Sequence, residues 1–161
     1  MRTLILASML LLLSACGGGG DSTPDTGPVP IPDTELKGTV GGKAFTGKYA
    51  VAFKDAFDAT ATTRSIRVAA NALDCSFNLD QEQYLLLEPE WAADTAYDFS
   101  LQHNLTFTYR VNGEIQNDVS LNGRVQVVTA PTAKDAKGRI RIRATTSTDS
   151  VEGAVDVLMC E

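Results

Sequence analysis

The chain is poor in the side chains that most enzyme chemistry relies on: one histidine, His103, and three cysteines, Cys16, Cys75 and Cys160. A Ser-His-Asp hydrolase would have to use His103 as its base, and no G-x-S-x-G elbow accompanies it. With one imidazole and no C-x-x-C pair, a transition metal lacks a ligand set. Carboxylates are more plentiful. The pairs Asp94 with Asp98, Glu88 with Glu90 and Asp55 with Asp58 could serve glycoside hydrolysis or calcium, but none lies in a D-x-D-x-D-G loop. Solvated acidic loops account for them, and no cofactor or metal is expected. Basic charge is also scarce: 14 Lys and Arg against 20 Asp and Glu give a net charge of −6, spread along the chain. Nucleic acid is therefore a poor partner. No hydrophobic run is long enough to span a membrane, since the one from Leu4 to Leu13 falls well short of the roughly 20 residues a spanning helix needs.

What is present at the start has three parts: a cationic residue, Arg2, then that apolar run, then small residues before a boundary. This is the pattern of an export signal. At the boundary, Leu13-Ser14-Ala15-Cys16 resembles the lipobox of bacterial lipoproteins. The resemblance implies that residues 1–15 are a cleaved signal peptide and that Cys16 is the acylated new N-terminus, anchoring the protein to a lipid bilayer. By the same analogy Gly17, in place of Asp, implies the outer membrane of a bacterial envelope. Cleavage removes Arg2 and no acid, leaving 13 basic and 20 acidic side chains and a net charge of −7. With Cys16 assigned to lipid, Cys75 and Cys160 remain as an even pair in an oxidising compartment, and a disulfide between them is expected.

From Cys16 to about residue 34 the chain is built from Gly, Pro, Asp, Ser and Thr, with Val29 and Ile31 its only apolar residues after the cysteine. Such a stretch reads as a tether with a reach of roughly 20 to 25 Å. The remainder, residues 35–161, has the length of one domain. Short runs rich in Val, Ile, Phe, Tyr and Thr alternate with Gly-Gly, Asn-Gly and Asp/Ser/Thr clusters. That texture predicts an all-β fold, an antiparallel β-sandwich or a partly closed β-barrel of eight or so strands, with one short helix left open around Tyr49, Phe53 and Phe57.

Three hairpins stand out. Leu36–Val40 and Lys43 to about Phe53 flank Gly41-Gly42, two residues suited to the positive φ of a tight turn. Leu105, Phe107, Tyr109 and Val111 alternate with polar residues, and Asn112-Gly113 follows. Tight pairing across that turn sets Phe107 opposite Asp118 and throws Val119 and Leu121 onto the threonine face, so a bulge or longer loop near Asn117-Asp118, or pairing elsewhere, is expected. In the last hairpin a turn at Ser147-Thr148 sets Ile140 against Val155, Ala144 against Val151, Arg143 against Glu152 and Arg139 against Asp156. This register places Cys160 on the Asp156 face, so the disulfide requires either a bulge near the C-terminus or an element covering that face.

Arg139, Arg141 and Arg143 share one strand face and could bind an anion, but Glu152 and Asp156 make a cross-strand charge ladder the simpler reading. Trp91, the sole tryptophan, stands six residues before Tyr97 in a stretch where Pro89 favours a loop or the first turn of a short helix. Loop aromatics can stack on sugars or grip a protein, or they can close the end of a core. The domain is similar in texture to β-rich envelope lipoproteins that carry a cysteine-stapled module behind a tether and open as Gly38-Thr-Val-Gly-Gly-Lys-Ala-Phe45 does. That likeness carries no functional residues. The expectation is a non-enzymatic envelope module for a protein or polysaccharide partner, with Trp91 and Tyr97 as its contacts. A polymer hydrolase using acidic residues, or a purely structural lipoprotein, is the alternative.

Overall fold

The computed structural model describes residues 29–54, 60–76 and 80–160. Eleven strands fill it: β1 Leu36–Val40, β2 Lys43–Gly47, β3 Tyr49–Lys54, β4 Arg64–Ala69, β5 Gln83–Leu87, β6 Thr95–Asp98, β7 Leu105–Val111, β8 Glu114–Ser120, β9 Asn122–Thr129, β10 Lys137–Thr145 and β11 Ser150–Met159. Among the described residues there is no helix. The strands form one sheet in the order β6-β9-β10-β11-β3-β4-β5-β7-β8, curled into an open half-barrel, with β1 and β2 branching from β11. The architecture is thus the partly closed barrel of the two all-β readings.

Curling puts one face of most strands inside. Phe107, Ile140, Ile142, Leu85, Ile66 and Leu36 are among the large side chains wholly enclosed there. Burial of each contributes about 1.5–3 kcal/mol. The segment around Tyr49 is a strand: Ala50 and Ala52 face the core, while Val51 and Phe53 lie on the outer side in a second, smaller cluster. Phe57 falls outside the described residues.

The first hairpin forms as its sequence indicates, with Gly41 and Gly42 at φ 60° and 70°. It ends sooner than expected, because pairing with β1 stops at Gly47 and Lys48 separates β2 from β3. The break frees β3 to join the far half of β11. On one side β11 pairs with β10 from Ser150 to Leu158. On the other it forks. Ser150–Glu152 take β1 antiparallel, and Val157–Met159 take β3 in parallel. The fork is at Gly153, where the chain entering β1 crosses so closely that a β-carbon would lie 2.6 Å from the Glu35 carbonyl oxygen. Only glycine leaves room for that approach.

The last hairpin has the expected register throughout, including Ile140 opposite Val155 and Arg143 opposite Glu152. The β7–β8 hairpin differs from expectation. Asn112 and Gly113 make the tight turn, with φ 53° and 85°, and pairing then runs without a bulge from Val111–Glu114 to Leu105–Ser120. Phe107 does stand opposite Asp118. The arrangement holds because β8 ends the sheet: Asp118 lies at the rim, where its carboxylate accepts a hydrogen bond from Thr148 Oγ1 at 3.3 Å. Its consequence is that Ile115 and Val119 point outward.

Candidate functional site

The residue types most suggestive of catalysis are dispersed. His103 lies in a loop with its ring tilted against Tyr97, centroids 5.1 Å apart. Glu88, Glu90, Asp94 and Asp98 are exposed, and Asp98 pairs with Arg124 at 3.0 Å. Asp55 and Asp58 lie outside the described residues. Among the described residues no group of three or more His, Cys, Asp or Glu could hold a metal ion.

The arginine row is matched by acids, as the charge-ladder reading has it. Arg139 pairs with Asp156 and Arg143 with Glu152. Further partners come from a segment assigned by sequence to the tether. Asp33 reaches Arg139 at 2.8 Å and Arg141 at 3.2 Å. Arg143 donates to the carbonyl oxygens of Val29 and Pro30 at 3.1 and 2.9 Å. Ile31 between them is only 6 % exposed. Contact with the domain therefore begins at least as early as Val29, and a strap of five residues, 29–33, lies over the arginines. Hydrogen bonds from Arg141 and Arg139 hold the Asp33 carboxyl below its usual range.

Trp91 is not presented to solvent. It is 7 % exposed, packs in the main core and donates its indole N–H to the Pro131 carbonyl oxygen at 2.8 Å. Tyr97 is half-buried against the same core. Its hydroxyl is enclosed beside Glu90, and burial pushes the phenol pKa up. The pair therefore does not form the open aromatic contact that its loop position suggested. A tryptophan's area is worth more to a half-barrel's open end than to the solvent beside it, so burial wins.

Cys75 and Cys160 are bonded, with α-carbons 5.3 Å apart. Of the two routes left open, the covering element is realised: the loop after β4 brings Leu73 and Cys75 over the outer face, where Cys160 packs with Val51 and Phe53. Cys160 is also fixed by its own N–H, which donates to the Ala52 carbonyl at 3.0 Å. Arg67 lies over the Phe53 ring at 5.2 Å. The staple thus closes a structural cluster. Cys16 falls outside the described residues.

Val29, Tyr49 and Leu101 are exposed singly, whereas the β7–β8 hairpin and the residue after it carry four exposed aliphatics together. Ile115 and Val119 are each 49 % exposed, and Val111 and Leu121 nearly as much. The signal for this surface in the sequence is the tight register itself, which puts Val119 and Leu121 on the threonine face. A cleft of about 340 Å³ adjoins Leu121, lined by Val29, Phe99, Arg124 and Arg143. Because β8 ends the sheet, among the described residues it has a strand partner on one side only. The tight turn makes Val111–Glu114 a hydrogen-bonded pair, and alternation from there turns the N–H and C=O of Ile115, Asn117 and Val119 away from β7. The β7 side agrees, since Arg110, opposite Ile115, gives its N–H to Glu82 of the other neighbour at 3.1 Å. A free strand edge flanked by exposed aliphatics can accept another strand.

No protein-family model matches the chain, and no curated protein or solved structure matches it. What the fold and this edge define is a class: a disulfide-stapled half-barrel with one long open edge strand.

Proposed function

We propose that this is a lipid-anchored protein of the bacterial envelope whose domain is a non-enzymatic binding module, docking a protein partner along the free edge of β8. The anchor is Cys16, in the lipobox-like Leu13-Ser14-Ala15-Cys16, and the outer membrane is its place by the analogy of Gly17. The observation that carries the binding reading is the coincidence on β8 of Ile115 and Val119, each half in solvent, with backbone groups that no described strand pairs. Backbone edges recognise backbones, so the geometry favours protein over polysaccharide. Sugar stacking on Trp91 and Tyr97 loses its support because the indole is enclosed.

Two measurements test the reading. The intact mass of the protein extracted from membranes should be that of a chain starting at Cys16 plus a diacylglyceryl group and a further acyl chain; an unmodified thiol at Cys16 ends the lipoprotein reading. A photo-crosslinking residue at Asn117 in cells should give a discrete product that disappears when Ile115 and Val119 are both changed to Lys. The same residue at Ala96, on the short opposite edge strand, should give none. Absence of product at Asn117 would remove β8 as the docking edge.

A further inference from the structure

Resting on the reading of β8 as a docking edge, we infer that the strand it receives is β8 of a second copy of this chain, antiparallel and centred on Asn117. Three residues turn their backbone groups outward, and their order is symmetric about the middle one: Ile115, Asn117, Val119. A two-fold axis through Asn117 sets Ile115 of each copy opposite Val119 of the other and Asn117 opposite itself. All three are hydrogen-bonded pairs, each exchanging two N–H···O bonds. The exposed aliphatics of one copy then cover those of the other. An interface of this kind uses the same patch on both copies and closes at two.

Charge selects this register from its neighbours. The other side chains of β8 are Glu114, Gln116, Asp118 and Ser120. Centred on Asn117, Glu114 faces Ser120 and Gln116 faces Asp118, so no two acids are directly opposed. Centring on Gln116 opposes Glu114 to Asp118 twice. Centring on Asp118 opposes the two Asp118 carboxylates to each other. Like charges directly across a strand pair are destabilising, so both alternatives are penalised on a strand of net negative charge.

The experiment uses the full-length chain in membranes. Asn117→Cys, Gln116→Cys and Asp118→Cys, made singly and exposed to mild oxidant, each report one centre by a disulfide-linked species of twice the monomer mass. The hydrogen-bonded Asn117 pair would hold its α-carbons about 5.5 Å apart, inside the range of about 4.4–6.8 Å that a disulfide accepts. The expected result is a dimer from Asn117→Cys formed well ahead of the other two. A charge-swap pair guards against simple misfolding: a copy with Ile115→Lys and Val119→Lys, and another with Ile115→Glu and Val119→Glu. Neither should pair with itself, while co-expression should restore a mixed dimer, because every Lys then faces a Glu. Faster linkage at Gln116 or Asp118, or failure of the swapped copies to associate, overturns the inference. If Asn117→Cys gives no dimer while the photo-crosslinker at Asn117 captures a chain of different mass, self-pairing falls and the docking edge stands. If neither gives a product, both fall.

Discussion

The ring of Trp91 stands over the α-carbon of Gly138, so close that a β-carbon there would lie 2.6 Å from its Cζ2 atom and 2.7 Å from the Thr129 carbonyl oxygen. The indole occupies space that any other residue at 138 would claim. Gly138→Ala should therefore destabilise the domain by about 1–3 kcal/mol through overpacking. Trp91→Ala should cost about 3–5 kcal/mol. Urea unfolding followed by circular dichroism checks both. A Trp91→Ala domain of unchanged midpoint would mean that the indole is not part of the core.

The Cys75–Cys160 bond closes a loop of 85 residues. In the chain-entropy model a cross-link of that span stabilises by roughly 4 kcal/mol. Cys75 is exposed, so a soluble reductant can reach it in the folded protein. Reduction should lower the unfolding midpoint and speed amide exchange at Leu73 and Val51, which the staple holds together, while Ile140 and Ile142 in the main core stay protected. Equal loss of protection in both clusters would contradict a local role.

The strap should answer to acid. Asp33 owes its lowered pKa first to the hydrogen bond from Arg141 and next to that from Arg139. A carboxylate depressed in the folded state contributes stability that is complete above its ordinary value of 3.8 and is lost as pH falls through the depressed value. Carboxyl NMR should place the Asp33 midpoint below 3.8, and Arg141→Gln should raise it toward that value. A midpoint at or above 3.8 would detach Asp33 from the arginines.

The two glycines of the first turn should differ. Both have positive φ, but a β-carbon at Gly42 meets open space while one at Gly41 meets the Tyr109 ring at 2.6 Å. Gly42→Ala should cost about 1–2 kcal/mol for the left-handed backbone alone. Gly41→Ala should add about 1–3 kcal/mol for displacing Tyr109. Thermal unfolding ranks the two, and equal costs would mean that the hairpin does not pack on β7.

The amino-acid sequence by itself determined what depends on near neighbours along the chain. Period-two alternation fixed which face of β7 and β10 turns inward, because successive side chains on a strand leave from opposite sides. The glycines at 41 and 42 fixed a tight turn. The pairing of Ile140 with Val155 followed from one turn position, since a single register sets Ile140 against Val155 and Ala144 against Val151 while opposing Arg139 to Asp156 and Arg143 to Glu152. The cysteine count fixed the staple. Only the tertiary structure decided which strands neighbour each other across the fold and what covers each outer face. The parallel β11–β3 pair, the burial of Trp91 under Gly138, the docking of Ile31 and Asp33 on the arginine face and the loop that brings Cys75 over Cys160 are contacts between segments far apart in the chain. No local period encodes them. The edge of β8 belongs to both: its register could be read from the turn, but that nothing among the described residues covers Ile115 and Val119 depends on β8 being the last strand of an open sheet.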